Sequence, residues 1–139
     1  MIEFHFKSEL VIQNKPDYVD WINRVIISEG FSVGQIDYIF CSDEYLLELN
    51  KEYLNHDTFT DIITFDYTDG KIISGDIFIS TDRVEDNARK FDVEFLSELR
   101  RVMSHGILHL AGFGDKSIEE KKIMREKEEE KIKMFHVEP

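Results

Sequence analysis

The run from Asp61 to Ser80 constrains the fold more than any other part of the chain. Asp61 to Tyr67 and Lys71 to Ser80 are both rich in Ile and Phe, and Thr68-Asp69-Gly70 separates them. Asp-Gly between two such runs is a strong signal for a tight reversal, so the two should pair as an antiparallel hairpin. Gly75 within the second run predicts a bulge or a close approach of another backbone. If the hairpin forms a sheet edge, a substrate strand could lie along it.

The other elements follow from periodicity. Ile2, Phe4 and Phe6 alternate with Glu3, His5 and Lys7, which predicts a first strand and lacks the basic start and apolar block of a signal peptide. Pro16 suits the first turn of a helix whose apolar face is Tyr18, Trp21, Ile22, Val25 and Ile26, ended by Gly30. Residues 34–41 read as a strand, and Ser42 as the N-cap of a helix running to about Leu54. Asn55 to Phe59 is a polar loop, whose His56 and Asp57 read as ordinary turn residues. One of Ser80, Thr81 and Asp82 caps a helix to about Phe91, Asp92 opens the next, and Ser117 with Glu120 forms a capping box for the last. The charge-rich run from Glu126 to Lys133 reads as a solvated face. The expected fold is α+β, with a four-stranded mixed sheet packed against about five helices.

At 139 residues the chain is one domain's worth, able to bury roughly two thirds of its unfolded surface. No apolar run approaches the ~20 residues of a membrane span, so no membrane partner is expected. The single cysteine, Cys41, cannot form an internal disulfide and reads as a small buried hydrophobe, which fits a reducing cytoplasm. A net charge of −12 argues against a simple electrostatic nucleic-acid binder. The charge is uneven, however. Residues 1–114 hold ten bases, of which five, Arg83, Arg89, Lys90, Arg100 and Arg101, fall in one short window. Any RNA would be met there, which makes Arg83, Arg89 and Arg101 the candidate substrate contacts.

Just after that window comes His105-Gly106-Ile107-Leu108-His109-Leu110-Ala111-Gly112-Phe113-Gly114-Asp115. Residues four apart on a helix lie roughly 40° apart around its axis, so His105 and His109 can aim both imidazoles at one point. Gly112 and Gly114 let the chain end the helix and swing back, which brings Asp115 toward the same point. On the helical wheel Phe95, Leu96, Leu99, Val102, Met103, Gly106 and Leu110 share one face, while Glu98, His105 and His109 run along its border. The histidines therefore belong at the edge of the core, facing a cleft. Two imidazoles and one carboxylate suit a single zinc ion, with a fourth position left open to water as in catalytic sites. Metalloproteases of the HExxH type place a general base beside the first histidine, and here that position is Gly106. Glu98, about two turns earlier, is the only substitute on the same stripe.

The histidine block resembles the HGxLHLxGYDH signature of the YbeY family, bacterial single-strand endoribonucleases that mature ribosomal RNA. Asn50-Lys51-Glu52-Tyr53 and Thr60-Asp61-Ile62-Ile63-Thr64-Phe65 resemble that family's NxxYR and TDVLSF segments, and Gly75-Asp76-Ile77-Phe78-Ile79 its GDIxI strand. The resemblance implies a metal-dependent, single-strand-specific endoribonuclease of ribosome maturation, with ribosomal RNA and ribosomal proteins or assembly factors as partners. It also implies His105, His109 and Asp115 as the ligands of one zinc ion per chain. The chain departs from the pattern twice, with Asp115 in place of the usual third histidine and Leu54 in place of the arginine after the tyrosine. Two other readings compete with the nuclease: a zinc metalloprotease-like hydrolase, and a non-catalytic assembly factor in which the metal braces the helix end.

Overall fold

The computed structural model describes residues 1–56 and 58–135. In chain order the elements are β1 (Ile2–Phe6), α1 (Lys15–Ser28), β2 (Ser32–Cys41), α2 (Asp43–Leu54), β3 (Ile62–Asp66), β4 (Ile72–Ser80), α3 (Thr81–Lys90), α4 (Phe95–Leu110) and α5 (Ile118–Met134). The four strands form one mixed sheet in the order β1-β2-β4-β3. β1 and β4 run parallel to β2, and β3 pairs antiparallel with β4 in the register Thr64 to Ile77. The expected hairpin is therefore present, with Gly70 at φ 58° in the reversal. Gly75 marks a close approach, since a Cβ there would lie 2.6 Å from the carbonyl oxygen of Phe65. The register irregularity beside it sits in the partner strand, between Val33 and Ile36 of β2.

Alternation along the strands assigns the two faces. Ile36, Tyr38 and Phe40 of β2 with Ile73, Ile77 and Ile79 of β4 face the main core, under Trp21, Ile22 and Val25 of α1 and Leu99, Val102 and Met103 of α4. Cys41 and Ile63 face the other way, where α2 covers them through Leu46. Burying each of these side chains stabilises the fold by about 1.5–3 kcal/mol, so the sheet's middle is the rigid frame on which α4 rests. Cys41 is fully buried, and burial followed by the Asp43 and Asp82 charges pushes its thiol up to about 12. It behaves as the inert hydrophobe expected.

Three caps match their sequence signals: Ser42 accepts from the Tyr45 N–H, Ser80 from that of Arg83, and Ser117 closes a capping box with Glu120. Two expectations fail. Asp92 does not open α4; it sits in the left-handed region at φ 54° just past α3, and Glu94 is the residue before α4 without a side-chain cap. The Glu126 to Lys133 run is not wholly a solvated face, because Glu128 and Lys131 are each only 2% exposed. Both are paired: Lys131 with Glu29 at 2.6 Å, Glu128 with Arg101 at 3.1 Å and with His105. α5 thus lies across α4 and α1 and buries charges that find partners there.

Candidate metal centre and its cleft

α4 carries the two histidines along the margin between sheet and solvent. Gly106, the residue after His105, packs onto the sheet so closely that a Cβ would lie 3.0 Å from the Ile77 Cγ2 and 3.2 Å from the Ile62 Cδ1. A glutamate there would collide with the sheet rather than face the cleft, which removes the general base of an HExxH protease. α4 ends in a Schellman motif: Gly112 at φ 102° donates to the His109 carbonyl at 3.0 Å, and Phe113 to that of Leu108 at 3.0 Å. That reversal returns the chain past the helix end and brings Asp115 back against the histidines.

The three predicted ligands converge. The Asp115 Oδ2 lies 3.4 Å from the His105 Nε2 and 3.3 Å from the His109 Nε2, and one ligand atom from each residue falls within 4.8 Å of the others. Ligands about 2.0–2.1 Å from a tetrahedral zinc are separated by roughly 3.3 Å, so the spacing and donor types fit such an ion. The imidazole rings stand nearly at right angles, at 80°, with centroids 4.7 Å apart. Side-chain exposure rises from 14% at His105 to 30% at His109 and 40% at Asp115, leaving one side open to solvent.

A group that sequence reasoning missed stands behind His105. The Glu128 Oε2 accepts from its Nδ1 at 2.6 Å, which places the proton on Nδ1 and leaves Nε2 as the lone-pair side. The other carboxylate oxygen accepts from the Arg101 Nη1 at 3.1 Å, and Arg101 makes a bidentate pair with Glu98 at 2.9 and 2.7 Å. Burial pushes the Glu128 carboxyl up, but the bonds from His105 and the Arg101 charge outweigh it and hold it below its ordinary range. Burial also opposes the charge of Arg101, and its bonds to Glu98 with the Glu128 charge more than restore it. Glu98 is consequently committed to Arg101 and is not a free base. The one signal that could have revealed Glu128 is its place in the helical stripe Met124, Glu128, Lys131, at spacings of four and three residues.

His105, His109, Asp115 and Arg101 line a cleft of about 250 Å³ together with Thr60 and Asp61, just before β3, and Ile62 and Thr64 within it. Burial raises the Asp61 carboxyl, against the lowering influence of Arg101, 3.7 Å away, and of His105. The predicted basic window is not one patch. Arg101 faces this cleft, while Arg100 turns to the aromatic faces of Phe135 and Tyr18, at 3.9 and 5.5 Å from their centroids. Arg83 pairs with Asp43 at 2.6 Å, and Arg89 is an exposed group paired with Glu85 at 2.5 Å. Neither Arg83 nor Arg89 lines the cleft.

A family model described as endoribonuclease YbeY matches residues 4–136. The chain belongs to that family. Among YbeY relatives, the endoribonuclease YbeY of Flavobacterium johnsoniae is 57% identical over 138 residues, covering 99% of both chains. That of Christiangramia forsetii is 53% identical, covering 99% of this chain and 96% of the relative. A solution structure of a Thermotoga maritima protein superposes with a TM-score of 0.67 at 28% identity, covering 97% of this chain and 89% of that one. Of the two departures from the YbeY pattern, Asp115 reaches the ligand cluster. Leu54 closes α2 and lines a second cleft beside the first. No helix among the described residues is long and apolar enough to cross a membrane.

Proposed function

We propose that the chain is a zinc-dependent endoribonuclease that cuts single-stranded RNA during ribosomal RNA maturation in the cytoplasm. The observation that carries the reading is the convergence of His105, His109 and Asp115 on one open cleft in a chain of the YbeY family. A divalent ion held there supplies a Lewis acid for phosphodiester hydrolysis. The chain's own groups supply the setting. Glu128 holds His105 in the tautomer that presents Nε2 to the cleft, and Arg101, fixed by Glu98 and Glu128, offers its guanidinium to a phosphate oxygen. Asp61, Glu98, Asp115 and Glu128 outnumber Arg101 around the cleft, so a phosphodiester is repelled until a cation offsets them. RNA affinity should therefore be low without the ion and fall steeply with salt.

The test is cleavage of labelled single-stranded ribosomal RNA fragments at low salt by zinc-loaded wild type, chelator-treated wild type and zinc-treated His109→Ala. Cutting by the first alone is the expected result. RNA left whole by the zinc-loaded protein would refute the nuclease, and parallel loss of ribosome maturation in His109→Ala cells would then favour an assembly factor.

A further inference from the structure

The second cleft, of about 370 Å³, adjoins the first across β3 and shares Thr60, Ile62 and Thr64 with it. β3 is the sheet's edge. The Ser80 N–H donates to the Asp61 carbonyl and the Tyr67 N–H to that of Ser74, so the odd-numbered residues of β3 turn their backbone groups to β4. Ile62 and Thr64 turn theirs outward, between the two clefts. Among the described residues, none that lines the second cleft carries a carboxylate. This second cleft adjoins a metal cleft whose lining includes the carboxylates Asp61 and Asp115.

Phe59 lines the second cleft, as does the His56 imidazole. Phe59 is 54% exposed, and the Arg83 guanidinium lies 5.6 Å from its ring centroid. Arg83 is itself held by Asp43 at 2.6 Å. The loop that carries Phe59 is tied to the end of α2, since the buried Asn50 side chain donates to the Thr58 carbonyl at 2.8 Å and the Asn50 backbone carbonyl accepts from the His56 N–H at 3.2 Å. An aromatic face backed by a fixed cation and open on more than half its surface is the platform on which unpaired bases stack, in any sequence.

We propose that the second cleft is a nucleobase subsite, in which a base of single-stranded RNA stacks on Phe59 while an adjoining phosphate enters the metal cleft. The proposal rests on the endoribonuclease reading above. It also accounts for discrimination against duplex, because a paired base has no free face to offer. The occupant is RNA rather than an extended peptide: the Phe59 ring, with the Arg83 guanidinium over it, offers a stacking face to a base, and the adjoining cleft holds the candidate metal site that a phosphate seeks.

The experiment measures fluorescence anisotropy of a labelled single-stranded 2′-O-methyl oligouridylate, which resists cutting, and of the same oligomer with its bases removed, on zinc-loaded protein at low salt. Phe59→Ala and Phe59→Leu should each weaken binding of the intact oligomer by about tenfold, and Phe59→Trp should retain it. The abasic oligomer should bind wild type and Phe59→Ala alike, and zinc affinity should be the same in all four proteins. Equal binding of the intact oligomer by wild type and Phe59→Ala, with zinc-loaded wild type still cutting RNA, overturns the subsite and leaves the nuclease standing. Failure of zinc-loaded wild type to cut removes the nuclease and the subsite together. A short extended peptide that binds wild type and Phe59→Ala equally, while the intact oligomer binds wild type no better than Phe59→Ala, would show a peptide groove along β3 instead, and also overturns the subsite.

Discussion

Substituting Glu128 separates the metal's outer support from its ligands. The Glu128 carboxylate accepts from His105 at 2.6 Å and from Arg101 at 3.1 Å, so both its oxygens face donors. Glutamine keeps the shape but offers one oxygen and one NH2, so Glu128→Gln must turn a donor toward a donor. Glu128→Ala leaves both donors without an acceptor. A lost hydrogen bond to a charged group costs about 1.5–3 kcal/mol. Arg101 keeps its bidentate pair with Glu98, so the loss stays below the ~3–5 kcal/mol of a fully orphaned buried charge. We expect metal-free protein to lose about 2 kcal/mol of unfolding free energy in Glu128→Gln and about 3 kcal/mol in Glu128→Ala, read by urea denaturation. Zinc affinity, read by chelator competition under conditions where every variant is folded, should fall about 10–100-fold in both. A Glu128→Ala protein that folds and binds zinc within about threefold of wild type would refute the positioning role.

Other changes have equally definite outcomes. Alanine at His105 or His109 should abolish stoichiometric zinc by elemental analysis, while Asp115→His should keep it, since imidazole replaces one ligand with another. Gly106→Glu should destabilise by more than the ~1–3 kcal/mol of ordinary overpacking, and should cleave no peptide, because its Cβ meets Ile77 and Ile62 rather than the cleft. Leu54→Arg should tighten single-stranded RNA binding and steepen its salt slope by about one counterion, read by anisotropy over a salt series. At Glu29, burial pushes the carboxyl up, but hydrogen bonds from Lys131 and Lys127 outweigh it and leave it lowered. Its contribution is therefore full above the unfolded value of ~4.3 and disappears as pH falls through the depressed folded value. The difference in urea midpoint between wild type and Glu29→Gln should accordingly be steady near neutrality and close in acid.

What could be read from the sequence is what depends on local periodicity. The Asp69-Gly70 reversal, the α4 stripe and the Gly112 helix end each follow from neighbours within a few residues, and together they bring His105, His109 and Asp115 to one point. What could not be read depends on pairing across the chain. Glu128 lies 23 residues from His105 and 27 from Arg101, inside a run of alternating charges that ordinarily belongs in water. Burial turns that run from a solvated face into a bracket for His105 and Arg101. Asp92 misled for a related reason: an acid before a helical stripe usually caps it, yet here it accommodates the left-handed turn that separates α3 from α4.

The same long-range pairing changes how a chain this acidic can hold RNA. The window around Arg83, Arg89 and Arg101 suggests a basic landing surface in the sequence, but each of the three guanidiniums meets a carboxylate in the fold. Their net field at the distance of an approaching strand is small, and exposed pairs such as Arg89–Glu85 are screened further by salt. Charge removal at Arg89 should therefore change RNA affinity by less than about twofold. Removal at Arg101 should cost far more, because it takes away the only guanidinium lining the cleft and strips Glu98 and Glu128 of their counter-charge. In the proposed reading, affinity that does not come from a basic surface comes from Arg101, from an ion at His105, His109 and Asp115, and from base contact at Phe59. Of the two proposed contacts, the ion takes a phosphate of any strand while Phe59 takes only an unpaired base, so on this reading single-strand selectivity rests on Phe59.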